Sequence, residues 1–129
     1  MNYNKIIQDR QLYSVMNNTK WYNLFSELNE IEESIRFRVK SIDNDYFPEN
    51  KIDFTGELQQ INREFISIEH LDIDPYIKVN RGELMKPLIN DLSSRIINIL
   101  EALKINYKKE DSYIRIYGYL DLDKTSEIG

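Results

Sequence analysis

The sequence predicts a single-domain α+β protein, with an antiparallel sheet of about four strands packed against two main helices. Two stretches carry apolar residues at helical spacing, and other stretches alternate apolar with polar residues as half-buried strands do. Their order, roughly α-β-β-β-α-β, favours an antiparallel sheet with helices on it. The 129 residues suffice for one stable core, so residues 1–129 are expected to form one domain.

The first main helix is predicted from about Thr19 to Glu32, with Asn18 or Thr19 as its N-cap. Its apolar stripe contains the only tryptophan of the chain and is expected to be the block against which the core forms. The stripe consists of Trp21, Leu24, Phe25, Leu28 and Ile31. Residues 1–16 have only loose helical spacing, which indicates a short helix or a lead-in segment.

The second main helix is predicted from Leu92 to about Lys104, capped by Asn90 or Asp91. Its buried stripe is expected to be Leu92, Ile96, Ile99, Leu100 and Leu103. A connection bracketed by Gly82 and Pro87 precedes it.

The clearest strand of the first half spans residues 35–40, where apolar and basic residues alternate strictly. Its apolar residues are expected to face the helix, which leaves a basic row on the opposite face. The row consists of Arg36, Arg38 and Lys40. Such a row could hold an anionic ligand, although a solvated face or a charged sheet edge has the same pattern.

Further strands are predicted at residues 52–55, 65–73 and 76–79. In the second of these, Ile66 and Ile68 have one parity, whereas Leu71 and Ile73 have the other. A bulge near His70 or partial coverage of both faces would explain the change.

The last strand, at residues 113–120, follows a polar loop at residues 108–111 and precedes a frayed tail at residues 121–129. One of its faces is expected to point outward and to carry Tyr113, Arg115, Tyr117 and Tyr119. Tyrosine and arginine are enriched at protein interfaces, so this face is a candidate partner-binding surface. The same residues could instead form an aromatic ladder within the sheet.

No pattern in the sequence indicates a metal, a cofactor or a catalytic centre. The turn-rich loop at residues 43–49 begins like a calcium loop but lacks the required central glycine and final glutamate. His70 is the only histidine and the chain has no cysteine, so a packed or surface histidine is expected rather than a metal ligand. No nucleophile motif accompanies it, and we expect the protein not to be an enzyme.

Charge and composition restrict the class of partner. The 22 acidic and 17 basic residues give a net charge of −5, which disfavours nucleic acid and favours a basic protein partner. The lack of cysteine is typical of a reducing compartment. No apolar run approaches the roughly 20 residues of a membrane span, and residues 1–7 lack the apolar segment of a signal peptide. A cytoplasmic protein that does not enter membranes is expected.

The chain from Asn17 onward resembles a bacterial family of domains of unknown function. The resemblance rests on four short segments in a fixed order. They are Asn18-Thr19-Lys20-Trp21 at a helix start, Arg36-Phe37-Arg38-Val39-Lys40, Ile68-Glu69-His70-Leu71-Asp72-Ile73, and Ile114-Arg115-Ile116-Tyr117-Gly118-Tyr119. A tryptophan usually stands in that family where this chain has His70, which implies that His70 fills an aromatic core or interface position. The resemblance implies an α+β domain and no particular activity.

Three classes of function agree with these observations. The first is a protein-binding inhibitor, most concretely an immunity protein or antitoxin that blocks a basic toxin domain encoded by an adjacent gene. Its expected contact surface is the outward face of the last strand together with Asp43, Asp45 and Glu49 of the acidic loop. The second is a small anion- or ligand-binding domain that uses Arg36, Arg38 and Lys40. The third is a regulatory subunit of a larger assembly.

Overall fold

The computed structural model describes residues 2–31, 33, 35–49, 54–55 and 64–121. The helices are α1 (Tyr3–Asp9), α2 (Asn18–Asn29) and α3 (Ser93–Ala102), and a 3-10 turn covers Phe65–Ser67. The strands are β1 (Tyr13–Ser14), β2 (Arg36–Ser41), β3 (Tyr46–Phe47), β4 (Ile68–Asp74), β5 (Tyr76–Val79), β6 (Leu88–Asp91), β7 (Tyr107–Lys109), β8 (Ile114–Tyr117) and β9 (Tyr119–Leu120).

The main sheet has five antiparallel strands in the order β3-β2-β4-β8-β7. Two further antiparallel pairs stand apart from it, β1 with β9 and β5 with β6. This architecture confirms the predicted α+β fold with an antiparallel sheet.

The core lies between one face of the main sheet and helices α2 and α3. Central strand β4 contributes Leu71 and Ile73, which lie opposite core residues of β2 on one side and of β8 on the other. Most of the predicted helix stripes are buried there, with Trp21, Leu24 and Leu28 from α2 and Ile96 and Leu100 from α3. A smaller cluster of Leu12, Ile42 and Tyr119 packs against α1.

The two main helices lie close to their predicted positions, but their first residues differ. Helix α2 is capped by Asn17, whose side chain accepts a hydrogen bond from the Lys20 amide at 2.8 Å, so it begins one residue early. At the start of α3 the N-cap position belongs to Leu92, which provides no side-chain cap. Asp91, the residue before Leu92, instead accepts a hydrogen bond from the Ser93 amide at 2.9 Å. The first amide of the helix therefore has a partner.

The phase change predicted near His70 is confirmed. Lys40 lies opposite His70 whereas Ser41 lies opposite Ile68, so Glu69 is the additional residue of a bulge. Every residue of β4 is also buried, so both faces of this strand are covered.

Strands β6 and β7 were not predicted from the sequence. Strand β7 includes Lys108 and Lys109 of the predicted polar loop, so that prediction is wrong for these two residues, and β7 pairs with β8. The connection predicted between Gly82 and Pro87 contains no strand, but a strand follows it. Residues 88–91 form β6, which is exposed throughout and so lacks the alternation that marks a half-buried strand.

The predictions at the chain ends and at residues 52–63 have mixed outcomes. The short helix predicted as one alternative for residues 1–16 is confirmed as α1. Of the predicted strand at 52–55, Thr55 forms an isolated bridge to Phe37, and residues 52–53 lie outside the described residues. Most of the tail predicted at 121–129 also lies outside them.

Candidate functional site

The basic row of β2 is neutralised by carboxylates of the neighbouring strand. Antiparallel pairing places Arg36 opposite Asp74 and Arg38 opposite Asp72, and each pair forms a salt bridge. Lys40 extends to Glu69 in the bulge, with 2.9 Å between Nζ and Oε1. The row is therefore not a bare basic surface, although the Arg36 side chain is 55% exposed. Binding of an anion by this row stays a prediction.

Asp72 is the centre of this charge cluster, which comprises Arg10, Arg36, Arg38, Lys40, Glu69, Asp72, Asp74 and Arg115. The Arg38 guanidinium lies 2.7 Å from Asp72 Oδ2, and Arg115 donates to both carboxylate oxygens at 2.8 and 3.1 Å. Burial alone would raise the pKa of Asp72, but hydrogen bonds from Arg115 and Arg38 outweigh it and hold the pKa below its usual value. Asp72 is consequently a buried, ionised group with cations on both sides.

Glu69 joins helix α1 to the same cluster. Its Oε1 accepts from the Arg10 guanidinium at 2.7 Å as well as from Lys40, and the Glu69 side chain is almost fully buried. Arg10 also donates to the Ile42 carbonyl at 2.8 Å. The bulge therefore gives Glu69 a structural role, because it directs the carboxylate to the cations of two other elements.

His70 lies beside Asp72 of the cluster and is uncharged at neutral pH. Burial lowers its pKa from 6.5 to about 3, although Asp72, with Oδ2 at 4.0 Å from Nε2, acts in the opposite direction. This agrees with the expectation that His70 is a packed histidine.

Aromatic rings flank the guanidiniums of the cluster. The ring centres of Phe54 and Tyr113 lie 4.5 and 5.4 Å from the Arg38 guanidinium. Tyr113 also contacts the Arg115 guanidinium. The three carboxylates of the cluster all accept from cations, so the arrangement is that of a structural charge network. In the described part of the chain, no three His, Asp or Glu side chains are grouped so that they could hold a metal ion.

The predicted outward face of the last strand is wrong for two of its four residues. Tyr117 is 3% exposed and Tyr119 is 6% exposed, and the Tyr119 hydroxyl donates to the Ile66 carbonyl at 2.7 Å. Arg115 and the half-buried Tyr113 belong to the surroundings of Asp72. The reason is that β8 is an inner strand between β4 and β7, and Gly118 separates it from β9.

The acidic loop predicted as a second contact surface is accessible. Asp45 and Glu49 are exposed, and the half-buried Asp43 accepts a hydrogen bond from the Asp45 amide at 3.3 Å. Its role in binding stays a prediction.

The site that sequence reasoning missed is the hairpin of β5 and β6 with its connecting loop, residues 76–91, which we call the arm. The two strands pair only with each other among the described residues, and every residue from 78 to 91 is exposed. Large apolar side chains nevertheless lie on it, namely Val79, Leu84, Met85, Leu88 and Ile89. Leu84 is 101% exposed and Ile89 is 56% exposed, so these residues contribute little to the core.

Hydrogen bonds define the shape of the arm at both ends. At the tip, Arg81 donates to the Lys86 carbonyl through two nitrogens at 3.1 and 2.8 Å. At the base, Leu92 donates to the Pro75 carbonyl at 3.0 Å, and the Tyr76 hydroxyl donates to the Asp111 carbonyl at 3.2 Å. The sequence contained one indication of this site, because the apolar residues around Gly82 and Pro87 matched no core stripe.

The fold and these surfaces define a small single-domain α+β protein with a neutralised charge network and an exposed apolar arm. The chain belongs to DUF6678, a family of unknown function, whose model matches residues 3–123. This confirms the resemblance to a family of unknown function. No curated protein and no solved structure matches the chain. Within the described ranges, the helices are too short or too polar to cross a bilayer.

Proposed function

We propose that this protein is a cytoplasmic protein-binding module that acts as an immunity protein or antitoxin, with the arm as its main contact element. The observation that carries the proposal is the exposure of Leu84, Met85, Leu88 and Ile89 on a hairpin that projects from the core. Exposed apolar patches of this kind are typical of protein interaction sites.

The arm is suited to binding because its apolar residues gain stability only from a partner. Full burial of a Leu, Ile or Met side chain is worth about 1.5–3 kcal/mol, and an isolated two-stranded hairpin is at best marginally stable in water. Strand β6 also has an outer edge without a backbone partner among the described residues, and a partner strand could pair with it.

The charge cluster supports binding rather than catalysis as the function. Its carboxylates and cations are engaged with one another across β2, β4 and β8, so they stabilise the scaffold that presents the arm. The net charge of −5 and the exposed Asp45 and Glu49 would attract a basic toxin domain and accelerate its association, whereas the arm contributes apolar contact rather than electrostatic attraction.

The test is co-expression with each product of an adjacent gene, followed by size-exclusion chromatography and a growth assay. The proposal expects a stable one-to-one complex and rescue of growth from a toxic neighbour. Leu84→Asp/Ile89→Asp should abolish both, because it places charge in the apolar contact. Tyr22→Asp is the matched control, since Tyr22 is 67% exposed on α2 outside the arm, and it should retain both.

Two results would contradict the proposal. One is migration of the protein alone with no rescue by any neighbouring gene. The other is a complex that Leu84→Asp/Ile89→Asp leaves intact, which would exclude the arm as the contact element.

A further inference from the structure

A groove on the outer surface of helices α2 and α3 complements the tip of the arm. It has a volume of about 370 Å³ and opens to solvent. Its apolar lining includes Ile31, Ile99 and Leu103. Its charged lining consists of Glu27, Glu30 and Arg95, and Arg95 is paired with Glu33 at 3.3 Å, outside the groove lining. This volume lies within the range of natural ligand pockets, about 300–1,000 Å³.

The tip of the arm carries apolar and cationic side chains, the types of group that complement this lining. Leu84 and Met85 are its outermost apolar side chains, and Arg81 and Lys86 lie on either side of them in the chain. The hydrogen bonds from Arg81 to the Lys86 carbonyl hold this loop closed, so the Arg81 guanidinium lies at the backbone of Lys86. Inserted into the groove, the apolar pair would contact its apolar lining, and the cations would face Glu27 and Glu30.

The charge distribution of the whole chain favours the same contact. The arm, residues 76–91, contains three cations and two carboxylates, in a chain of net charge −5. The arm therefore has a net charge of +1 and the rest of the molecule has a net charge of −6. A second copy of the chain offers the arm both an acidic surface and an apolar groove.

We propose that, in the absence of its foreign partner, the arm of one copy inserts into the α2–α3 groove of a second copy, and that the exchange is reciprocal. Reciprocal exchange closes a two-fold dimer and covers both arms, whereas one-way insertion would leave one arm exposed. The dimer regulates the arm by masking it until a partner competes for it. This inference rests on the proposed function in taking the arm as the contact element.

The test measures mass by light scattering after size-exclusion chromatography, over a wide range of protein concentration. The wild-type chain should form a dimer. Arg81→Glu/Lys86→Glu and Glu27→Lys/Glu30→Lys should each raise the dimer dissociation constant by at least about tenfold, because like charges then meet in the groove. Lys5→Glu, a charge reversal on the exposed surface of α1, should leave the dimer unchanged.

The decisive step is to mix the two charge-reversed variants. Each is expected to be monomeric alone, but together they place opposite charges at both contacts and should form a heterodimer. A wild-type chain that stays monomeric, a dimer that neither reversal weakens, or a mixture that stays monomeric would overturn the inference.

The dimer and the foreign complex can be distinguished by the groove variant. Glu27→Lys/Glu30→Lys leaves the arm intact, so it should still form the complex with the product of the adjacent gene, although its smaller negative charge slows association. A foreign complex formed by a chain that never dimerises would overturn the dimer and leave the proposed function standing. A dimer that the charge reversals weaken, with no complex formed by any neighbouring gene product, would support the dimer and overturn the proposed function.

Discussion

Asp72 determines the electrostatics of the outer sheet face, because it is the buried anion between Arg38 and Arg115. A carboxylate in this position stabilises the fold only while both cations contact it, since each ion lost its hydration on folding. The cluster therefore depends on the register of three strands, and a change at Asp72 leaves two guanidiniums without their common partner.

Replacement of Asp72 by asparagine tests this role. Asp72→Asn should lower the free energy of unfolding by about 3–5 kcal/mol, because it leaves buried cations without compensation. Glu110→Gln is the matched control, since Glu110 pairs with Lys108 at 3.4 Å on a much more exposed surface, and it should cost less than about 1 kcal/mol. Urea denaturation at neutral pH measures both values. Equal effects of the two variants would contradict the assignment of Asp72 as the centre of the cluster.

His70 should make stability depend on pH in a weakly acidic range. Its pKa is about 3 in the folded chain and 6.5 when unfolded, so below pH 6.5 the unfolded state binds more protons. The free energy of unfolding should fall by about 2 kcal/mol between pH 7 and pH 5. His70→Gln should remove most of this slope, whatever its effect on stability at pH 7. Asp72 adds its own loss of stability only as the pH falls below its ordinary pKa of 3.8.

Urea denaturation of both proteins at several pH values between about 7.5 and 5 measures the two slopes. A wild-type stability that stays constant over this range would contradict the burial of a neutral His70. A slope that persists in His70→Gln would assign the pH dependence to another group.

At the scale of the elements, Gly118 allows the last strand to approach β4 closely. Its amide donates to the Glu69 carbonyl at 2.8 Å, and a Cβ at this position would overlap the Ile68 carbonyl oxygen. The same Cβ would lie 3.2 Å from the ring of Trp21. Gly118 therefore lies between the bulge at Glu69 and helix α2, which carries Trp21.

Gly118→Ala should therefore lower the free energy of unfolding by about 3 kcal/mol, since backbone atoms of β4 would have to move. Gly82→Ala is the comparison, because Gly82 has a φ of +117° but no atom within 4 Å of the place that an alanine methyl group would occupy. Backbone strain alone should cost that variant about 1–2 kcal/mol. Thermal and urea unfolding of both variants measure the difference. A smaller loss for Gly118→Ala than for Gly82→Ala would show that crowding at Gly118 is not limiting.

The arm illustrates an element that forms mostly without burial, since only Tyr76 and Ile77 at its base are half-buried. Four residue pairs from Tyr76↔Asp91 to Val79↔Leu88 hold its strands together, and hydrogen bonds close its tip and base. Its apolar residues follow no single buried face, so a pattern search for half-buried strands identifies β5 only and overlooks β6.

At the scale of the whole molecule, the charges are divided between two regions with different roles. The outer sheet face holds cations and carboxylates that neutralise one another in the interior, whereas the arm keeps Lys78, Arg81 and Lys86 exposed beside apolar side chains. The net charge of −5 favours a basic partner for the molecule as a whole, but it does not show that the arm has more cations than carboxylates. The groove and the arm therefore became candidates for contact only when their positions were known.

The sequence alone determined the fold class, helices α2 and α3, strand β2 and the change of phase near His70. These features depend on local periodicity, since residues a few positions apart share a face of a helix or a strand. Only the tertiary structure decided that the basic row of β2 meets Asp72, that Tyr117 and Tyr119 lie inside, and that the arm projects. These features depend on the register and order of strands far apart in the chain, and periodicity within one segment cannot specify which other segment will cover it.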